Sequence, residues 1–249
     1  MGLLTGKTAL VTGGGSGIGR SIAELYAKEG ANVVISDINA QSGEETVQLI
    51  KSNAGEAFFV QADTSRAVDN ELLVSKTIER YGSLHIACNN AGVGGPSSPT
   101  GEYPIDGWDR VIAINLSGVF YGCRYQIPAM LKTGNGVIIN MASILGQVGF
   151  PNSPAYVAAK HGVVGLTKNI ALEYAAQGLR AVSVGPAFIH TPLLKDMDED
   201  TLKFLASKHP VGRLGRPEEV AELVLWLSSD KASFTNGGYY AVDGGYLAP

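Results

Sequence analysis

Tyr156 and Lys160 stand four residues apart in a stretch whose apolar pattern predicts a helix, so both side chains project from one face. Ser143 closes the short apolar run just before that helix. Side chains at the C-terminal ends of parallel strands face the crevice where ligands bind, so the three groups can converge on one small molecule. A carbonyl that becomes an alkoxide needs a proton donor, and a tyrosine serves if its pKa falls from about 10. A nearby ammonium lowers that pKa by favouring the phenolate. A serine hydroxyl can hold the substrate oxygen. Alone, a Tyr and a Lys at this spacing mark only a half-exposed helix face. Their position downstream of a phosphate loop gives them chemical meaning.

That loop is Thr12-Gly13-Gly14-Gly15-Ser16-Gly17-Ile18-Gly19, between an apolar run and an amphipathic stretch. Glycines let the chain turn sharply and let a pyrophosphate approach, and the helix that follows offers free N–H groups. Strand, loop and helix in this order point to a dinucleotide. Asp37 ends the second apolar run, where a carboxylate accepts from the adenosine ribose hydroxyls and repels a 2′-phosphate. The nearest cation is Arg20, inside the helix, so the expected cofactor is NAD rather than NADP.

The elements that must hold these groups follow a βαβ rhythm. Strands are expected at 7–11, 32–36, 56–60, 84–88, 136–141, 181–184 and 239–242. Helices are expected at 18–28, 40–52, 66–80, 106–131, 154–176 and 217–227. The fold class is α/β: a single-domain Rossmann fold over 1–249, with a doubly wound parallel sheet of about seven strands and helices on both faces. The stretch 191–210 mixes polar, acidic and apolar residues after a proline and reads as a mobile lid over the site.

Formal net charge is -4 with no dense basic run, which argues against nucleic acid or an anionic membrane as partner. Cys88 and Cys123 lie in apolar stretches without metal-ligand spacing, so two buried thiols and no metal site are expected. The N-terminal run is broken by glycines and does not read as a signal peptide. No stretch reaches the ~18 apolar residues of a membrane span. A cytoplasmic protein follows, and the Asn115-Leu116-Ser117 sequon is then a chance match.

From residue 7 to 246 the sequence resembles the short-chain dehydrogenase/reductase family. The resemblance rests on the glycine loop at 12–19, Asn89-Asn90-Ala91-Gly92, Asn115, Ser143, Tyr156-x-x-x-Lys160 and Val242-Asp243-Gly244-Gly245. It implies that Tyr156 is the general acid/base and that Ser143 orients the carbonyl. Lys160 would bind the nicotinamide ribose and tune the tyrosine, and Asn115 would complete a water-linked proton relay. It also implies that Asp63 contacts the adenine, that Asn89 to Gly92 line the cofactor side of the sheet, and that Thr191 holds the carboxamide. The full cofactor set is Gly13, Gly15, Ser16, Gly17, Ile18, Gly19, Asp37, Ile38, Ala62, Asp63, Thr64, Asn89, Ala91, Gly92, Tyr156, Lys160, Pro186, Ile189 and Thr191. One position departs from the family: Pro186 is followed by Ala187 rather than glycine, and alanine tolerates positive φ less well.

Residues expected around the carbonyl are Gly94, Gly95, Ile144, Leu145, Phe150, Phe188, Leu193, Leu194 and Met197. Nearly all are apolar and suit an uncharged ketone. His190 and Lys195 are the nearest cations. Within the family, the segments 141–146, 149–153 and 184–186 look most like NADH-dependent secondary alcohol dehydrogenases (carbonyl reductases). The expected reaction is hydride transfer between NAD(H) and a ketone or secondary alcohol, with a hydrophobic or aryl ketone reduced to a chiral alcohol. A 3-oxoacyl thioester reductase, a diol, sugar or steroid dehydrogenase, and a non-catalytic dinucleotide-binding protein are the alternatives. The helices at 106–131 and 154–176 are apolar almost all round, and the second is rich in Ala and Gly. A homo-oligomer is expected, and the resemblance makes it a tetramer.

Overall fold

The computed structural model describes residues 2–195 and 197–248. Seven strands form one sheet: β1 (Thr8–Thr12), β2 (Asn32–Asp37), β3 (Glu56–Gln61), β4 (Ile86–Asn89), β5 (Gly136–Met141), β6 (Leu179–Pro186) and β7 (Tyr239–Val242). All are parallel, in the order β3-β2-β1-β4-β5-β6-β7. The order reverses between β1 and β4, and that is where a crevice opens at the strand ends.

The short strands are apolar on both faces because helices cover both. In β1, Ala9 and Val11 face one core while Leu10 faces the other. The first core is closed by α1 (Gly17–Lys28), α2 (Ala40–Ser52) and α8 (Pro217–Ser228), through Ile22, Val47, Val220 and Val224. The second is closed by α3 (Ala67–Tyr81), α5 (Gly118–Leu131) and α6 (Pro154–Tyr174), through Leu73, Cys123 and Val163. Both cysteines are buried and free, and burial pushes both thiols up to about 12, far from reactivity.

Several expectations are refined. The sixth strand is longer than 181–184, because β7 pairs with its C-terminal half as far as Pro186. The expected helix 106–131 is α4 (Ile105–Ile112) joined to α5 through one wide π turn, Ala113–Ser117. Such a turn carries one residue too many for regular i to i−4 bonding. The stretch 191–210 is not irregular throughout. It holds a short 3₁₀ turn at Pro192–Leu194 and a helix, α7 (Glu199–Ser207). The Asp198 carboxylate caps α7 by accepting from the Thr201 N–H at 2.7 Å. Asp196, inside the same stretch, lies outside the described residues. Asn115 is fully buried, so its sequon is closed to modification in the folded chain. Among the described residues no helix is long and apolar enough to cross a membrane.

Candidate active site

A cleft of about 650 Å³ runs along the C-terminal ends of the strands. At one end lies the glycine loop. Gly13 has φ +63°, and a Cβ there would lie 2.9 Å from the Ala91 Cα. A Cβ on Gly19 would collide with the Gly13 carbonyl. Glycine at these positions lets the loop pack closely on itself and on the segment after β4. Gly13, Ser16, Gly17, Ile18 and Gly19 line the cleft. Gly15 does not, because its N–H donates to the Asp37 carboxylate at 3.0 Å. The other Asp37 oxygen accepts from the Asn39 N–H at 3.0 Å. Asp37 remains on the cleft wall with Ile38, Ala62, Asp63 and Thr64. Arg20 turns away from that wall: its guanidinium donates to the Gly15 carbonyl and to Thr46 Oγ1, and pairs with Glu45. Ser36 Oγ, also at this wall, is buried without a partner. An open cradle, a carboxylate and an unused hydroxyl suit an adenosine diphosphate moiety.

At the other end, Ser143 and Tyr156 line the cleft with Lys160 behind them. Ser143 follows β5 and accepts from the Leu145 N–H at 3.1 Å through its hydroxyl. Its carbonyl accepts from the Tyr239 hydroxyl at 3.0 Å, which ties the residue to β7. Lys160 is 3% exposed, and its ammonium donates to the Met141 carbonyl at 2.7 Å. It lies 5.5 Å from the centre of the Tyr156 ring. Burial lowers the Lys160 pKa to about 8. Burial also raises the Tyr156 pKa above the usual phenol value, and the Ser143 hydroxyl offsets this only in part. In the free enzyme burial thus acts on the phenol against the lowering expected from a neighbouring ammonium. Desolvation of the phenolate is the larger effect, and the ammonium is itself disfavoured by the same dry surroundings.

Asn115 sits in the π turn. Its amide accepts from the Val93 N–H at 2.9 Å and donates to the Val93 carbonyl at 2.8 Å. It clamps the loop after β4 and both perturbs the helix and borders the site. A Cβ on Gly92 would lie 3.2 Å from Asn115 Oδ1 and 3.8 Å from Lys160 Nζ. Asn90, Ala91 and Gly92 line the cleft as expected. Asn90 donates its side-chain amide to the Thr12 carbonyl at 2.9 Å, joining the glycine loop to β4. Asn89 does not line the cleft, which corrects its place in the cofactor set. Its side chain points into the core, where it donates to Asn140 at 2.9 Å and exchanges bonds with Gln126. Asn140 in turn donates to Thr167 of α6 at 2.9 Å. This closed network braces the sheet beneath the site.

All nine expected pocket residues line the cleft: Gly94, Gly95, Ile144, Leu145, Phe150, Phe188, Leu193, Leu194 and Met197. Pro186, Ile189 and Thr191 also do. Only the first part of the 191–210 stretch contributes to the wall. Ala187 needs no left-handed backbone: its N–H donates to the Val242 carbonyl at 3.1 Å, and positive φ outside glycine occurs elsewhere among the described residues. His190 and Lys195 do not line the cleft, whereas Arg110 does. Arg110 was missed because its place depends on how α4 lies over the strand ends.

Residues 13–247 match the family model described as enoyl-(acyl carrier protein) reductase. A cyclohexanol dehydrogenase from Acinetobacter sp. (strain SE19) is 49% identical over 97% of this chain and 95% of its own. A 2,5-dichloro-2,5-cyclohexadiene-1,4-diol dehydrogenase from Sphingobium indicum is 41% identical over 98% of each. The crystal structure of levodione reductase superposes with a TM-score of 0.96 at 36% identity, covering 98% of this chain and 99% of that one.

Burial of Lys160 sets a stability test. The unfolded lysine titrates near 10.5 and the folded one near 8, so between those values the unfolded chain binds more protons and stability rises with pH. Below about pH 8 the whole cost of the buried cation is present. Lys160→Met is expected to stabilise the fold by on the order of 1–3 kcal/mol near neutral pH, with the gain fading toward pH 10.5. Urea unfolding across this range measures it. A variant less stable at neutral pH would mean that the bond to Met141 outweighs desolvation.

Proposed function

The chain belongs to the short-chain dehydrogenase/reductase family, and from that premise we propose that it is an NAD(H)-dependent dehydrogenase of cyclic and other hydrophobic secondary alcohols. It is an alcohol dehydrogenase, moving a hydride between a secondary alcohol and a ketone. The observation that carries the finer reading is one cleft shared by the glycine cradle, Asp37, and the Ser143 and Tyr156 hydroxyls. The apolar walls suit alicyclic or aryl ketones, and the names of the relatives favour six-membered rings.

The cradle residues, Asp37, Lys160 and Thr191 would hold the dinucleotide. When bound, it supplies the hydride for reduction or accepts it in oxidation. Tyr156 donates its phenolic proton to the substrate oxygen in reduction and takes it back in oxidation. Ser143 donates a hydrogen bond to the same oxygen and fixes which lone pair meets Tyr156. The Lys160 ammonium stabilises negative charge as it develops on the phenolate beside it, and so favours proton release. The clamp of Asn115 on Val93 keeps the loop after β4 at the cleft wall. Leu193, Leu194 and Met197 form the inner side of a lid over 191–210 that excludes water from the reacting atoms.

The finer assignments also include a cytoplasmic homotetramer. Phe120 of α5 and Leu172 of α6 are exposed, Leu172 at 85%. The small residues of α6 divide: Ala159 and Ala171 pack inward, Gly162 lies against Leu116, and Ala158 and Gly165 remain on the outer face, where a second copy can approach closely.

Five outcomes test this reading. Absorbance at the nicotinamide band should report fast NADH oxidation with cyclohexanone or an aryl methyl ketone, and slow oxidation with an acetoacetyl thioester. Tyr156→Phe should lower turnover about 10²–10⁴-fold while NADH binding, read by fluorescence, stays close to normal. Because the Tyr156 pKa is raised, alcohol oxidation should climb with pH while reduction stays level until the phenol begins to ionise. Retained turnover in the Phe variant would remove Tyr156 from the chemistry. Asp37→Ser should shift the NADPH/NADH ratio of kcat/KM upward by about tenfold or more, and an unchanged ratio would remove Asp37 from cofactor choice. Light scattering should give four times the 26.0 kDa chain. A monomer would sink the assembly reading.

A further inference from the structure

Four of the residues lining the cleft carry a full charge: Asp37, Asp63, Arg110 and Lys160. The two carboxylates lie at the dinucleotide end. Lys160 is buried and bonded to the Met141 carbonyl. Arg110 is different. It is exposed, it sits on α4, and it is four residues before Ile114, which lines the same cleft. Ile114 stands about one turn further along, in the π turn, and the cleft wall there carries both an apolar side chain and a guanidinium.

The other arginines have partners. Arg20, Arg66, Arg80, Arg213 and Arg216 pair with carboxylates, Arg124 lies over Tyr125, and Arg180 donates to carbonyls of the chain. Among the described residues, Arg110 is the one arginine with no ion pair, hydrogen bond or aromatic face. Asp106 and Asp109 share its helix and do not pair with it, and the Asp106 carboxylate accepts instead from the Gly107 N–H. An incoming anion would therefore displace no contact that Arg110 makes with the described residues.

A second unused donor sits behind the same wall. The Tyr103 hydroxyl is buried without a hydrogen-bond partner. Gly95 lines the cleft, and a Cβ there would lie 2.7 Å from the Tyr103 oxygen, so the phenol and the Val111 side chain pack directly behind this glycine. Buried donors without partners are uncommon, and this one adjoins the region that Arg110 faces.

We propose that Arg110 is a specificity-determining residue that pairs with a carboxylate on the substrate, at the far side of the ring from the reacting carbonyl. The favoured substrate class is then an alicyclic keto acid or hydroxy acid: an apolar ring held by the walls, with one anionic substituent. A planar guanidinium suits this role, since it meets a carboxylate through two parallel hydrogen bonds. The proposal deepens the reading of the cleft as a ketone site and rests on it.

The test compares 4-oxocyclohexanecarboxylate with 4-methylcyclohexanone, a neutral ketone of the same shape, using NADH. Wild-type enzyme should favour the keto acid, and that preference should weaken in about 0.5 M NaCl, where exposed charges are screened. Arg110→Gln should lower kcat/KM for the keto acid by about tenfold or more, through KM, and leave the neutral ketone within about twofold. Arg110→Lys should recover part of the loss. Equal effects on both ketones, or none on either, overturn the proposal. A rise in KM for NADH would reassign Arg110 to the cofactor and overturn it as well. A wild-type enzyme that reduces the neutral ketone and ignores the charge sinks the proposal alone. One that reduces neither ketone sinks the ketone reading and the proposal with it.

Discussion

The hydrogen bond from the Lys160 ammonium to the Met141 carbonyl joins the long helix α6 to the end of β5. A buried cation needs a partner, and a strand-end carbonyl supplies one only if helix and strand meet at one register. That register sets Tyr156 one turn before Lys160 and above Ser143, at the mouth of the cleft. The same helix is fixed further along by Thr167, which accepts from Asn140, the neighbour of Met141 in β5. Two polar contacts two turns apart leave α6 little freedom to rotate, so the Tyr156 and Ser143 hydroxyls are placed by the core.

The cleft is held open from the other side by backbone rather than by bulk. Thr12 receives the Asn90 amide, Asn115 grips Val93, and Gly13 and Gly19 permit approaches that a Cβ would block. The cleft therefore follows a seam where separate segments are bonded to one another through side chains. The polar residues nearest the chemistry serve both as walls and as fasteners.

The βαβ rhythm was legible in the sequence because each strand is short and apolar on both faces, and each helix carries a separate stripe. Tyr156, Lys160 and Ser143 were legible because helical spacing and a strand end place them without knowledge of the packing. Asn89 was not, since alternation along a four-residue strand does not say which side faces a ligand. The π turn escaped because one extra residue in a long apolar helix changes no composition. Helix α7 escaped because nine residues of mixed polarity make a weak stripe. Arg110 escaped because its relation to the cleft is purely tertiary. The worry about Ala187 disappears because its backbone stays outside the left-handed region.

The wide turn at Ala113–Ser117 has a consequence for how this fold can change. One additional residue offsets the faces of the helix by roughly 100° between its two halves. The first half, α4, brings Arg110 to the cleft and the turn itself brings Ile114, while α5 turns Val119, Cys123 and Ile127 into the core against α3. Substrate preference and core packing are thus written on one continuous rod in two independent frames. Exposed positions of the first frame, Arg110 among them, can change while Val111 and the second frame keep the core covered.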